Sequence, residues 1–135
     1  MDMSLTLIII AALASTPPMS SLEDGIWAVE TGRRTGPVHG DGGRALGPLQ
    51  IHRGCWLDVR RAGEEYADCS DLGYSLEVFR RYAARYATAD RLGHKPTDRD
   101  LAFLWNGGPS AHRATGKKKE NLDRYWRRVK KESTE

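Results

Sequence analysis

Apolar residues recur at spacings of three and four along most of this chain, and glycine- and proline-rich breaks cut the pattern into short segments. Leu22, Ile26 and Val29 predict a first helix, opened by a capping box at Ser21-x-x-Asp24 and stopped by Gly32. From Gly32 to Gly47 there are six Gly and one Pro, which excludes a helix there. Within that stretch Gly40-Asp41-Gly42-Gly43 predicts a tight turn between two short strands. Ile51, Cys55 and Val59 predict a second helix ending before Gly63. A third is expected to open at Ser75, with Phe79, Tyr82, Ala83 and Tyr86 along one stripe. Thr97-x-x-Asp100 caps a fourth, which carries Leu101, Leu104 and Trp105 and stops at Asn106-Gly107-Gly108-Pro109. Leu122, Tyr125, Trp126 and Val129 mark a fifth. The pattern predicts a helix-dominated α+β fold, with about five short helices and one small glycine-rich β-hairpin.

Leu5 to Leu13 is an almost unbroken apolar run, too short to span a bilayer, which takes roughly 20 apolar residues. Ala12-Leu13-Ala14 offers small residues two apart, and Pro17 and Pro18 break any helix before the body begins. These features predict an export signal cleaved after Ala14, although Asp2 stands where basic residues are usual; the alternative is a buried N-terminal helix. The expected organisation is a signal over 1–14, a linker over 15–20, one domain over 21–132 and a tail over 133–135. The expected location is secreted or periplasmic.

Composition narrows the classes further. A length of 135 residues sets one domain, and 39% hydrophobic with 29% charged residues is a globular balance. Two Cys exclude a disulfide-stapled miniprotein and a four-Cys zinc site. His94 and His112 have no Cys or His at ligand spacing, so neither a metal nor a cofactor is expected. The net charge is only +3, but Lys117 to Lys119, Arg124, Arg127, Arg128, Lys130 and Lys131 gather on the fifth helix. A solvated helix exterior explains them; the functional alternative is attraction to anionic cell-surface polymers. Nucleic acid is not an expected partner, because no recognition-helix pair or aromatic platform is present.

Glu30 falls eight residues after Leu22 and four after Ile26, on the face that must be buried. Desolvation there disfavours the charged carboxylate and raises its pKa, as a general acid near neutral pH requires. The plainer alternative is an exposed Glu on a last helical turn. Asp41 sits in the glycine-rich turn, where the chain can double back and set a second carboxyl across a cleft from the first. Two carboxyls in unlike environments are the equipment of glycosidic-bond cleavage. An ordinary Asp-Gly turn former is the alternative for Asp41.

Glu30-Thr31-Gly32, Gly47-Pro48-Leu49-Gln50-Ile51, Trp56-x-Asp58, Tyr66, Cys69, Arg85-Tyr86, Asn106-Gly107-Gly108-Pro109 and Tyr125-Trp126-x-x-Val129 together resemble the invertebrate-type lysozyme family. The series is similar, more loosely, to the soluble lytic transglycosylases. The resemblance runs from about Leu22 to Val129 and implies a lysozyme-like fold and a muramidase that cuts β-1,4 bonds between N-acetylmuramic acid and N-acetylglucosamine in peptidoglycan. By the same resemblance Glu30 takes the place of the general acid, and Asp41 falls at or within one residue of the nucleophile or cation stabiliser. Gln50, Ile51 and His52 would form part of the cleft floor, and Asn106, Gly107 and Gly108 would bring backbone and amide groups close to the sugar.

The chain departs from the family in having only Cys55 and Cys69, where relatives carry many disulfides. Cys69 matches a family half-cystine whose partner position falls on Val59. A shifted Cys55–Cys69 bridge, contributing roughly 3 kcal/mol, and two buried free thiols are both open readings. Two other functions stay open beside the muramidase: a lytic transglycosylase using Glu30 alone and leaving 1,6-anhydro ends, and a non-catalytic wall-binding module.

Overall fold

The computed structural model describes residues 17–133. The expected export signal over 1–14, the start of the linker and the end of the tail lie outside the described residues.

Helix α1 spans Ser21–Thr31, and its capping box starts one residue earlier than expected. Ser20 Oγ accepts from the Glu23 backbone N–H (3.1 Å), and Glu23 Oε1 accepts from the Ser20 N–H (2.9 Å). Asp24, the expected partner, is instead bound to Arg33 at 2.9 Å. Glu23 is the better anchor because its carboxylate also accepts from Arg80, at 2.8 Å, fixing the helix start to the body of the protein. Gly32 closes α1 in the left-handed conformation (φ 67°), as expected.

The glycine-rich segment forms strands β1 (His39–Gly40) and β2 (Ala45–Leu46), joined by a 3₁₀ turn over Asp41–Gly43. A third strand, β3 (Ile51–His52), completes an antiparallel sheet in the order β1-β2-β3. The register pairs His39 with Leu46, Gly40 with Ala45, Ala45 with His52 and Leu46 with Ile51. Ile51 therefore opens no helix. Gln50 before it is left-handed (φ 54°), which breaks helical continuity, and α2 begins only at Arg53 (Arg53–Val59).

Helix α3 (Leu72–Tyr86) starts a turn earlier than Ser75, capped by Asp71, whose Oδ2 accepts from the Tyr74 N–H at 2.8 Å. Ser75 lies inside the helix, fully buried, its hydroxyl donating to the Cys69 carbonyl at 2.9 Å. A one-turn helix α4 (Ala89–Leu92), absent from the apolar pattern, leads to α5 (Asp98–Gly107). The Thr97–Asp100 capping box of α5 forms as expected. Helix α6 (Gly116–Glu132) buries Leu122, Tyr125 and Val129 and exposes Lys117 to Lys119, Arg127 and Arg128. Among the described residues no helix is long and apolar enough to cross a membrane.

The core joins Leu22 and Ile26 of α1 to Leu49, Ile51, Trp56, Val78, Phe79, Ala102, Tyr125 and Val129. Full burial of an aliphatic side chain contributes about 1.5–3 kcal/mol, and Ile26, Leu49, Ile51, Val78 and Val129 all reach it. Helices α1 and α6 approach unusually closely at Gly25, where a Cβ would stand 2.7 Å from the Val129 carbonyl oxygen. That contact brings the end of α1 against Tyr125. The expected helix-dominated α+β architecture is what the protein adopts.

Candidate active site

Glu30 sits on the last turn of α1, half-buried, on the face shared with Leu22 and Ile26. Its Oε2 accepts a hydrogen bond from the Tyr125 hydroxyl at 2.7 Å. Burial raises its carboxyl from 4.5 to about 7, against the opposing pull of the Tyr125 hydrogen bond and the Arg128 charge. Tyr125 is itself raised well above the ordinary phenol range, chiefly by burial, so it stays a donor.

Asp41 occupies the turn between β1 and β2 in a left-handed conformation (φ 52°), which Asp tolerates better than most residues. Its side chain is half exposed. Oδ1 lies 3.4 Å from Arg44 and Oδ2 lies 3.3 Å from His52 Nε2. The two carboxyls therefore stand in unlike surroundings, one desolvated and one solvated between basic groups.

Both line one cleft of about 480 Å³, together with Ala45, Gln50, His52, Trp105 and Asn106. A further hollow of about 270 Å³ shares Gln50, His52, Trp105 and Asn106 and adds Ile51, Cys55, Tyr82 and Gly108. The result is a trough rather than a hole, which suits a polymer. Trp105 is held edge-on to Phe79 (ring centroids 5.2 Å apart), and its indole N–H donates to the Leu49 carbonyl at 3.2 Å. A rigid aromatic wall of this kind can stack on a sugar ring.

Most of the expected site residues come together here, with differences of detail. The Gln50 amide nitrogen donates to the carbonyls of Val38 (3.0 Å) and Gly47 (2.9 Å), so it fastens the hairpin while lining the cleft. Ile51 is almost wholly buried and belongs more to the core than to the floor. His52 faces the cleft and Asn106 is exposed within it, its amide unengaged by other described residues. Gly107 turns away: a Cβ there would lie 2.8 Å from Leu122 and 2.9 Å from Ala111, so its missing side chain serves helix packing. Gly108 keeps a place in the trough.

Two contacts went unread in the sequence. Tyr125 is the partner of Glu30, and His52, rather than the neighbouring His39, is the partner of Asp41. The polar tip of a tyrosine on the buried Leu122–Val129 stripe is the signal for the first, since a buried hydroxyl calls for a partner. Cys55 and Cys69 are free thiols here, each pushed up to about 12 mainly by burial.

No protein-family model and no curated protein sequence matches the chain. Solved structures do. Tapes japonica lysozyme superposes with a TM-score of 0.67 at 23% identity, covering 84% of this chain and 89% of that one. A structure of Aeromonas hydrophila PliI in complex with Meretrix lusoria lysozyme gives 0.66 at 25% identity, covering 84% and 88%. The fold is thus lysozyme-like, and the resemblance to invertebrate-type lysozymes read from the motifs holds in three dimensions.

Proposed function

We propose that the protein is a glycoside hydrolase, a muramidase that cuts the β-1,4 bond between N-acetylmuramic acid and N-acetylglucosamine. The observation that carries this reading is Glu30, whose desolvated carboxyl keeps its proton up to about pH 7 while lining a trough with a second, solvated carboxyl. In the mechanism, the Glu30 oxygen not bound by Tyr125 donates its proton to the glycosidic oxygen as the C–O bond breaks. Positive charge builds on the departing sugar ring, and Asp41 stabilises or captures it. Water then completes turnover, with Glu30 taking back the proton. His52 and Arg44 hold the Asp41 carboxylate on its exposed turn. Trp105 and Asn106 offer one ring face and one amide to the glycan.

A wall polymer lies outside the cytoplasm, and the apolar run over Leu5–Leu13 fits delivery there. Since a relative of similar fold is recorded with the protein PliI, an inhibitor of that kind is a candidate partner for this chain also.

The test is mass spectrometry of products from purified peptidoglycan, with Glu30→Gln and Asp41→Asn run in parallel. Reducing muropeptide ends, lost in both variants, are expected. Anhydro ends lost only with Glu30→Gln would make the protein a transglycosylase, and absence of products with glycan binding intact would make it a binding module.

A further inference from the structure

A groove of about 770 Å³, larger than the cleft, opens on the opposite face of the hairpin. The sheet register separates the two. Gly40, Ala45 and His52 form one cross-strand row, and His39, Leu46 and Ile51 form the other, facing the opposite way. Ala45 and His52 line the cleft; His39 and Leu46 line the groove, and no residue lines both.

The floor of the groove is aromatic, and each ring carries a guanidinium. Arg53 lies 4.4 Å over Tyr66, and Arg60 lies 5.0 Å over Trp56. A guanidinium held over a ring face keeps N–H donors that can recognise a carboxylate. Among the described residues the Arg53 side chain has no ion pair or hydrogen bond, and the Arg60 side chain makes one hydrogen bond, to the Glu64 carbonyl at 3.0 Å. Of the two acids in the wall, Glu64 is already engaged: Arg81 grips both its oxygens at 2.7 Å and holds its carboxyl down at about 2. Glu65 is exposed and enters no ion pair. The charges without an ion partner among the described residues are therefore two cations and one anion around an apolar floor. A neutral glycan would leave both guanidiniums unanswered, and a repeating polyanion would meet Glu65. A short peptide carrying free carboxylates and a free amine answers all three.

We propose that this groove binds the peptide stem borne by the glycan substrate, seating its carboxylates on Arg53 and Arg60 and its amine toward Glu65. The proposal rests on the muramidase reading. Strands only two residues long make the hairpin a narrow partition. A stem of four or five extended residues reaches about 15 Å, so a branch can leave a sugar in the cleft and round that edge. The protein would then distinguish peptide-bearing from bare glycan at a place remote from the bond it cuts.

The experiment has two arms. In the first, the full chain carrying Glu30→Gln is titrated with a synthetic Ala-γ-Glu-Lys tripeptide, following Trp56 indole and Arg53 Nε resonances by NMR. Saturable shifts at these residues are expected, with affinity reduced about tenfold or more by the added pair Arg53→Gln and Arg60→Gln. No shifts at millimolar peptide, or shifts unaltered by the pair, would overturn the proposal. In the second arm, chains with Glu30 intact, with and without the arginine pair, digest peptide-bearing and peptide-stripped glycan. The pair should lower kcat/KM about tenfold on the first substrate and leave the second unchanged; an equal loss on both overturns it. Peptide binding without cleavage of either polymer would refute the muramidase reading and leave the groove as a peptide site. Cleavage of both without peptide binding would refute the groove alone.

Discussion

Replacing Tyr125 by Phe removes one hydroxyl and keeps the ring that packs between α6 and α1. The hydroxyl donates to Glu30 Oε2 at 2.7 Å, and that bond favours the ionised carboxylate. Burial, the dominant influence on Glu30, stays in place when the bond is lost, and only the Arg128 charge still opposes it. A hydrogen bond to a charged group contributes about 1.5–3 kcal/mol. At 1.36 kcal/mol per pKa unit this raises the Glu30 carboxyl from about 7 to about 8 or 9. Glu30 must be protonated to act as an acid, so turnover falls as pH rises through its pKa. In Tyr125→Phe the alkaline limb of kcat/KM on soluble glycan oligomers should therefore move upward by about one to two pH units. Carbon-13 NMR of the Glu30 carboxyl reads the same shift without substrate. An alkaline limb and a carboxyl titration that stay near 7, or move down, would refute the account of how this acid is tuned.

Three further outcomes are expected. Because the folded pKa of Glu30 is raised from 4.5 to about 7, its stabilising contribution is fully present below 4.5 and is lost as pH rises through 7, a change of about 3 kcal/mol. Glu30→Gln should remove that decline, and urea midpoints at pH 4.5 and pH 8 that still differ as in the unmodified chain would contradict it. Gly107→Ala should lower stability by about 1–3 kcal/mol through overpacking against Leu122 and Ala111, read by thermal denaturation; an unchanged Tm would place that backbone elsewhere. Thiol titration without reductant should find two groups on the denatured chain and slow reaction on the native one at pH 8, whereas zero groups on the denatured chain would establish a Cys55–Cys69 bridge.

What the sequence made legible was mainly local. The Thr97–Asp100 box, the Gly32 stop and the Leu122–Val129 stripe each depend on residues within about two helical turns, and each formed as read. Glu30 was legible for the same reason, since its burial follows from its spacing to Ile26. Strand β3 was not, because Ile51, Cys55 and Val59 satisfy a helical period equally well. The decision belongs to Gln50, whose left-handed backbone is fixed by bonds to Val38 and Gly47. The helix-packing role of Gly107 was not legible because close sugar approach and close helix approach both call for glycine. The contacts of His52 with Asp41 and of Tyr125 with Glu30 join residues that only the finished fold brings together.

The seam between α1 and α6 has a consequence for when chemistry can begin. Glu30 and the hydroxyl that controls its proton are 95 residues apart in the chain. Closing so long a contact is a late and entropically costly step in assembling a domain. A chain still awaiting α6 has the acid residue but neither the burial nor the partner that set its pKa. On the proposed mechanism, catalytic competence is therefore coupled to completion of the fold. Fraying that lifts α6 should silence the acid before the rest of the core comes apart.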